Sequence, residues 1–386
     1  MRGTDSGRGP NTAAPGDRAT VPGMADGPAA AFGRNNARAA ANATVELERR
    51  FARFIGIPSV LAVRGWADAV TLGLRALNLP RGGQVAMPAL VHPDLPRAVI
   101  GAGRRPVILE IGADLRLDLD ALEAALRDDI AAVIISHGGL ISDMDAIQWL
   151  CEARGIPLIE DVAQAPGGRW RGRRLGTFGA VGAFAFQSQR TFNAGEVGMI
   201  AGDPDIVARA ARLAGRSVGN GSPDSARCVG QLAATLARAQ IDEIDVRAER
   251  ARHLRDRMAA LLDASPHFAV PPAHENEQGA PAVIQFALRG AESDAAARAF
   301  VARAQSAGVP VQILGLGPQT QRAFWTWAFI GPHPGLARSR ALLRRLCELR
   351  LPVALDEDAV RASAEALIRS AEAVSPRRDR REGLSL

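Results

Sequence analysis

The chain of 386 residues contains no lysine and no tyrosine, so all 47 of its basic residues are arginine. Arginine replaces lysine cheaply on a solvated surface, because both side chains are cationic. A guanidinium stays protonated, however, and cannot act as an amine nucleophile. The absence therefore excludes any reaction that runs through a side-chain Schiff base. Elsewhere a bias towards arginine codons accounts for it, in keeping with the wealth of Ala, Gly and Arg. Cysteine is scarce too. Cys151, Cys228 and Cys347 lie far apart and show no metal-ligand spacing, which suits a reducing cytoplasm. His92, His137, His253, His267, His274 and His333 show no such spacing either. No apolar run approaches the roughly 20 residues needed to cross a bilayer, so no membrane partner is expected.

What is present is ordinary globular protein, 47% apolar and 23% charged, long enough for a large domain and a smaller one. The net charge of +6 raises the question of nucleic acid. The arginines between Arg247 and Arg257 are interleaved with Asp and Glu along a helical pattern, and the one cluster, Arg377 to Arg381, reads as a solvated tail. No nucleic-acid partner is expected.

Residues 1–44 are rich in Gly, Ala, Pro, Arg and Asn without apolar periodicity, which predicts a disordered leader lacking the apolar centre of a secretory signal. Residues 45–225 alternate helix and strand. Helical patterns at 45–54, 66–77, 96–102, 117–127 and 145–154 separate short apolar strands at 59–63, 84–87, 106–109, 131–136 and 157–160. This order predicts an α/β domain with a mostly parallel sheet between helices. From residue 226 to 375 the pattern is a long helix to about Leu262, a strand at 282–288, a helix at 293–307, a strand at 309–313 and a helix at 357–373. That is a linking helix and a small α+β domain. Residues 376–386 form a basic tail.

Chemistry gathers in the middle of the chain. The block from Pro157 runs through Glu160-Asp161-x-x-Gln164, then Phe184-Ala185-Phe186, then Gly195-Glu196-x-Gly198. Gly65 stands in a strand-to-helix turn, Pro88 follows a strand, and Asp143-Met144, Ala307-Gly-Val-Pro-Val and Leu351-Pro-Val add further matches. In this order the elements resemble the DegT/DnrJ/StrS family of sugar aminotransferases over about residues 45–370. The resemblance implies the fold-type-I aminotransferase architecture, pyridoxal phosphate as cofactor, and an active site built across a dimer interface.

Carried over residue by residue, the resemblance implies that Asp161 pairs with the protonated pyridine nitrogen, which keeps the ring an electron sink, and that Gln164 lies near the phenolic oxygen. His92 falls at the aromatic position that stacks on the ring. Other positions depart from the family. The phosphate-binding Gly-Thr turn is Gly65-Trp66, so the hydroxyl is lost and the indole is expected to fill phosphate space. The two serines are Ala185 and Gln189, and the histidine after the next strand is Ser136, beside His137. The Schiff-base lysine is Arg190. An internal aldimine is chemically impossible in this chain. Arg190 is either a remnant, paired with Asp161 or Glu196, or a bidentate clamp for a phosphate or carboxylate.

The residues leave three readings. The chain is a non-transaminating homologue that acts as a binding or partner subunit, as a homodimer or a heterodimer with an active aminotransferase. Alternatively, it is a sugar-modifying enzyme that uses pyridoxal or pyridoxamine phosphate noncovalently; an arginine is a poor proton shuttle for that role. The third reading is a cofactor-independent reaction on a sugar-like ligand in the inherited pocket.

Overall fold

A computed structural model describes residues 43–127, 129–187, 192–216, 227–279, 282–317, 322–331 and 335–375. The expected leader up to residue 42, the basic tail, His333, Gln189 and Arg190 lie outside the described residues.

Helix α1 spans 43–55 and so takes in the two residues that close the expected leader. Then follow β1 (Ser59–Val63), α2 (Trp66–Ala76), β2 (Gln84–Pro88), α3 (Asp94–Gly101), β3 (Arg105–Leu109), α4 (Leu119–Ala125), β4 (Ile130–Ser136), α5 (Met144–Glu152) and β5 (Leu158–Asp161). The short pair β6 (Arg169–Trp170) and β7 (Arg173–Arg174) precedes β8 (Val181–Gln187), β9 (Glu196–Gly202) and α6 (Pro204–Leu213). Seven of these strands form one sheet in the order β1-β9-β8-β5-β4-β2-β3. The pairs from β8 outward to β3 are parallel, and only β9 runs against the others.

The alternation of side chains along each strand divides the sheet into two apolar faces. Leu61, Met87, Ile134, Ile159 and Ala183 point to the face covered by α2, α3 and α6. Ala62, Ala86, Val133, Leu158 and Phe184 point to the face covered by α1, α4 and α5. Asp118 and Asp143 start α4 and α5 by accepting the backbone N–H three residues on, at 3.0 and 3.1 Å.

The expected long helix is broken. It consists of α7 (Gln231–Gln240), a 3-10 turn at Ile241–Glu243, and α8 (Ile244–Asp263). Ala234, Ala237, Ile241 and Ile244 share one face across the break, and all bury in the core beneath the large sheet. The second core lies between α8 and a sheet of order β10-β12-β14-β13, comprising β10 (Phe268–Ala269), β12 (Val283–Leu288), β13 (Gln312–Ile313) and β14 (Leu346–Arg350). It is closed by α9 (Asp294–Ser306) and α11 (Glu357–Glu372). The strand expected over 309–313 pairs only at its last two residues; Pro310 has no N–H to give a ladder. Between β10 and β12, β11 (Glu277–Gln278) crosses to pair with β6, and α10 (Ala337–Leu343) precedes β14. Among the described residues no helix is long and apolar enough to cross a membrane, and no cluster of His, Cys, Asp and Glu could hold a metal.

Candidate functional site

The end of β5 carries two adjacent carboxylates that face opposite sides of the sheet. Asp161 faces α2. Its side chain is buried, 6% exposed, and both oxygens are engaged. The Trp66 indole N–H donates to Oδ1 at 2.8 Å, and the backbone N–H of Ala163 donates to the same oxygen at 3.1 Å. The Ser136 hydroxyl, from the end of β4, donates to Oδ2 at 2.7 Å. The Ala163 bond is a local turn of the kind an Asp makes after a strand. No helix follows β5: residues 162–168 are irregular, as Pro166-Gly167-Gly168 dictates, so Gln164 sits half-buried in a turn rather than one helical turn on.

Glu160 faces the other way and is fully buried. Its carboxylate accepts the backbone N–H groups of Gly176 at 2.7 Å, Phe178 at 2.7 Å and Gly179 at 2.8 Å. The His137 imidazole, also fully buried, places Nε2 3.7 Å from Glu160 Oε2. Sequence reasoning missed this role, because the three amides return to β5 from residues 176–179. The Glu-Asp pair ending an apolar strand was the available signal.

Gly65 precedes α2 in extended backbone, and its carbonyl accepts the Ala69 N–H at 3.0 Å; no side chain caps the helix. A Cβ on Gly65 would face Glu196 Oε2 and Gln187 Nε2 at 3.7 and 3.8 Å, so the end of β8 and the start of β9 lie against this point. Ala185 is buried in β8, in register with Gly198 of β9. Trp66 is 6% exposed and belongs to the same apolar core as Ala89, Val91, Ala163 and Ala185.

The structure thus brings Gly65, Trp66, Asp161 and Ala185 together where the start of α2 meets β5, β8 and β9, and adds Ser136. The indole of Trp66, which is expected to fill phosphate space, ends on Asp161, the carboxylate the resemblance assigns to the ring. His92 is half-exposed and serves the start of α3, where its Nδ1 accepts the Asp94 N–H at 3.3 Å. Trp327 is buried in the same apolar core as Trp66, and the partly buried Trp325 packs against that core.

A family model described as the DegT/DnrJ/EryC1/StrS aminotransferase family matches residues 30–368. The chain is 32% identical over 235 residues to the L-glutamine:2-deoxy-scyllo-inosose aminotransferase of Streptomyces kanamyceticus, covering 56% of this chain and 54% of that protein. It is 33% identical over 156 residues to the 3-amino-5-hydroxybenzoate synthase of Amycolatopsis mediterranei, covering 40% of each. The matches thus span about half, or less, of the relatives' length. Among solved structures, the aminotransferase TlmJ from Streptoalloteichus hindustanus superposes with a TM-score of 0.75 at 23% identity, over 86% of this chain and 91% of that one. The PLP-form of the sugar aminotransferase Spr1654 from Streptococcus pneumoniae gives 0.76 at 20% identity, over 86% and 92%. The fold is that of the type I aminotransferases.

Pyridoxal phosphate is the group this family implies, and the residues present do not fit it. The chain has no lysine to hold the aldehyde. The start of α2 offers no hydroxyl, and an indole of the protein itself lies against the Asp161 carboxylate.

Proposed function

The chain belongs to the DegT/DnrJ/EryC1/StrS aminotransferase family, and we propose that it is a member that does not transaminate and acts as a binding or partner subunit in sugar or cyclitol metabolism. One observation carries the reading: there is no lysine in the chain, and therefore no amine, to face Asp161. An arginine in that place cannot form the covalent link, and its pKa keeps it from passing protons near neutrality. The surrounding changes run the same way, since Trp66 and Ala185 stand where the family has hydroxyls. The cyclitol direction rests on relatives such as the 2-deoxy-scyllo-inosose aminotransferases. The partner is a second copy of the chain or an active aminotransferase of the same fold.

Calorimetry of the purified protein with pyridoxal phosphate and with pyridoxamine phosphate tests this. No binding to either is expected, and no amine product from glutamine and a keto-cyclitol. Tight stoichiometric binding would favour the noncovalent-enzyme reading, and turnover of an amino donor would end the proposal.

A further inference from the structure

We propose that the cleft between the end of β4 and the second core binds a small aliphatic amino alcohol, with its hydroxyl on Gln285 and its ammonium on Asp263. The cleft holds a cavity of about 200 Å³, walled by residues 139 and 140 beyond β4, by α8, by residues 270–273 and by β12. None of the side chains gathered around Asp161 lines it, so the inference stands apart from the reading of that site.

The observation that points to a ligand is an amide. Gln285 is 5% exposed, and its two polar atoms differ in state. Nε2 donates to Glu348 at 2.8 Å, and Arg322 holds the same carboxylate at 2.9 Å, which fixes the way the amide faces. Oε1 has no hydrogen-bond partner among the described residues. It is lodged against Gly139, where an added Cβ would stand 2.0 Å from it, so glycine is what leaves the oxygen room at this wall. A buried acceptor without a donor is costly. Water is the plainer donor, but an ordered water needs about two to four polar partners. Few are on offer here. The Arg255 guanidinium is committed to Glu277 at 2.7 Å and to Asp256 at 3.2 Å, and Leu140, Ala259, Val270 and Ile284 are apolar.

Along α8, Asp256 and Asp263 edge the cavity about 10 Å apart, two helical turns. Asp256 is shared by Arg252 and Arg255, whereas the exposed Asp263 forms no ion pair among the described residues. The two side chains with unmet needs are therefore both acceptors, which selects a ligand made of donors. The inner acceptor is neutral and buried, and a charge placed there would be costly, so it suits a hydroxyl. The outer one is a solvated carboxylate and suits an ammonium. The apolar wall suits a short alkyl chain between them. A volume of about 200 Å³ also lies below the roughly 300–1,000 Å³ of pockets that hold larger ligands.

The experiment titrates the full chain with 4-amino-1-butanol, butylamine and butanol, followed by ligand-observed NMR. The amino alcohol should bind saturably, in the millimolar range. It should bind about tenfold more tightly than butylamine, which lacks the inner donor, and about fivefold more tightly than butanol, which lacks the charge. Added salt should erode only the margin over butanol. Gln285→Met keeps the chain length and removes the acceptor, so the margin over butylamine should vanish. Asp263→Asn should remove the margin over butanol; this exposed position keeps the test available even where Gln285→Met does not fold. No saturable binding, equal binding of the three probes, or margins that either folded variant leaves unchanged would overturn the proposal. None of these titrations reads the cofactor, so their failure leaves the non-transaminating reading standing.

Discussion

Neighbouring residues on a strand point to opposite faces, and β5 ends on two carboxylates placed accordingly. Asp161 meets side-chain donors, Trp66 and Ser136, while Glu160 meets the amides of Gly176, Phe178 and Gly179. Glu160 is thus the fastener of the turn leading into β8. In Glu160→Gln an amide nitrogen must face a backbone N–H, so a bond is lost and a donor is left buried. The expected loss is about 3 kcal/mol, read from the urea midpoint. The motif around Asp161 and the substitutions at Gly65-Trp66 were legible in the sequence, because each is a local departure from a known pattern. The Trp66–Asp161 contact was not. The two residues are 95 positions apart, and only the packing of α2 against the sheet sets how far the indole reaches.

Elements were legible where a periodic apolar pattern coincided with ordinary propensity, as in α2, whose expected span of 66–77 compares with Trp66–Ala76, and in β1. β9 escaped notice because Gly195-Glu196-x-Gly198 reads as a turn and glycine is poor in strands. Its glycine has a steric reason. A Cβ on Gly198 would stand 2.2 Å from the carbonyl oxygen of Gly65, so the strand and the start of α2 could not both keep their places. Gly198→Ala is expected to destabilise the protein by about 2 kcal/mol in chemical denaturation, and to shift the near-ultraviolet circular dichroism of Trp66 as α2 moves. The 3-10 break between α7 and α8 was equally hidden, since no Gly or Pro marks it and the buried Ile241 and Ile244 keep ordinary helical spacing across it.

Across the whole molecule, ion pairs join parts that the apolar cores leave separate. Glu277 of β11 accepts from Arg116, which precedes α4, at 3.2 Å and from Arg255 of α8 at 2.7 Å, all three largely buried. At the far end Asp294 binds Arg344 and Arg345, which hold its carboxyl down at about 2. A depressed carboxyl stabilises fully above its unfolded value, near 4, and loses that contribution as pH falls towards its folded value. The gap in unfolding temperature between wild type and Asp294→Asn should therefore be constant above about pH 5 and narrow steadily towards pH 2. A gap unchanged by acid would show that these arginines do not set the titration. Such contacts were out of reach of the sequence, which shows arginines interleaved with acids along α8 but not that Arg255 turns inward to β11.

The strand order also fixes a timetable for synthesis. β1 sits at the sheet edge and its ladder partner is β9, whose residues leave the ribosome some 140 positions later: Ser59 pairs with Gly202. Until then β1 has no neighbour in the sheet, while β2, β3, β4 and β5 can already pair among themselves. The nascent chain must carry an apolar Val60-Leu61-Ala62-Val63 segment unpaired through most of the making of the large domain. Such a segment is a natural ligand for a chaperone and a place where slowed elongation would favour aggregation.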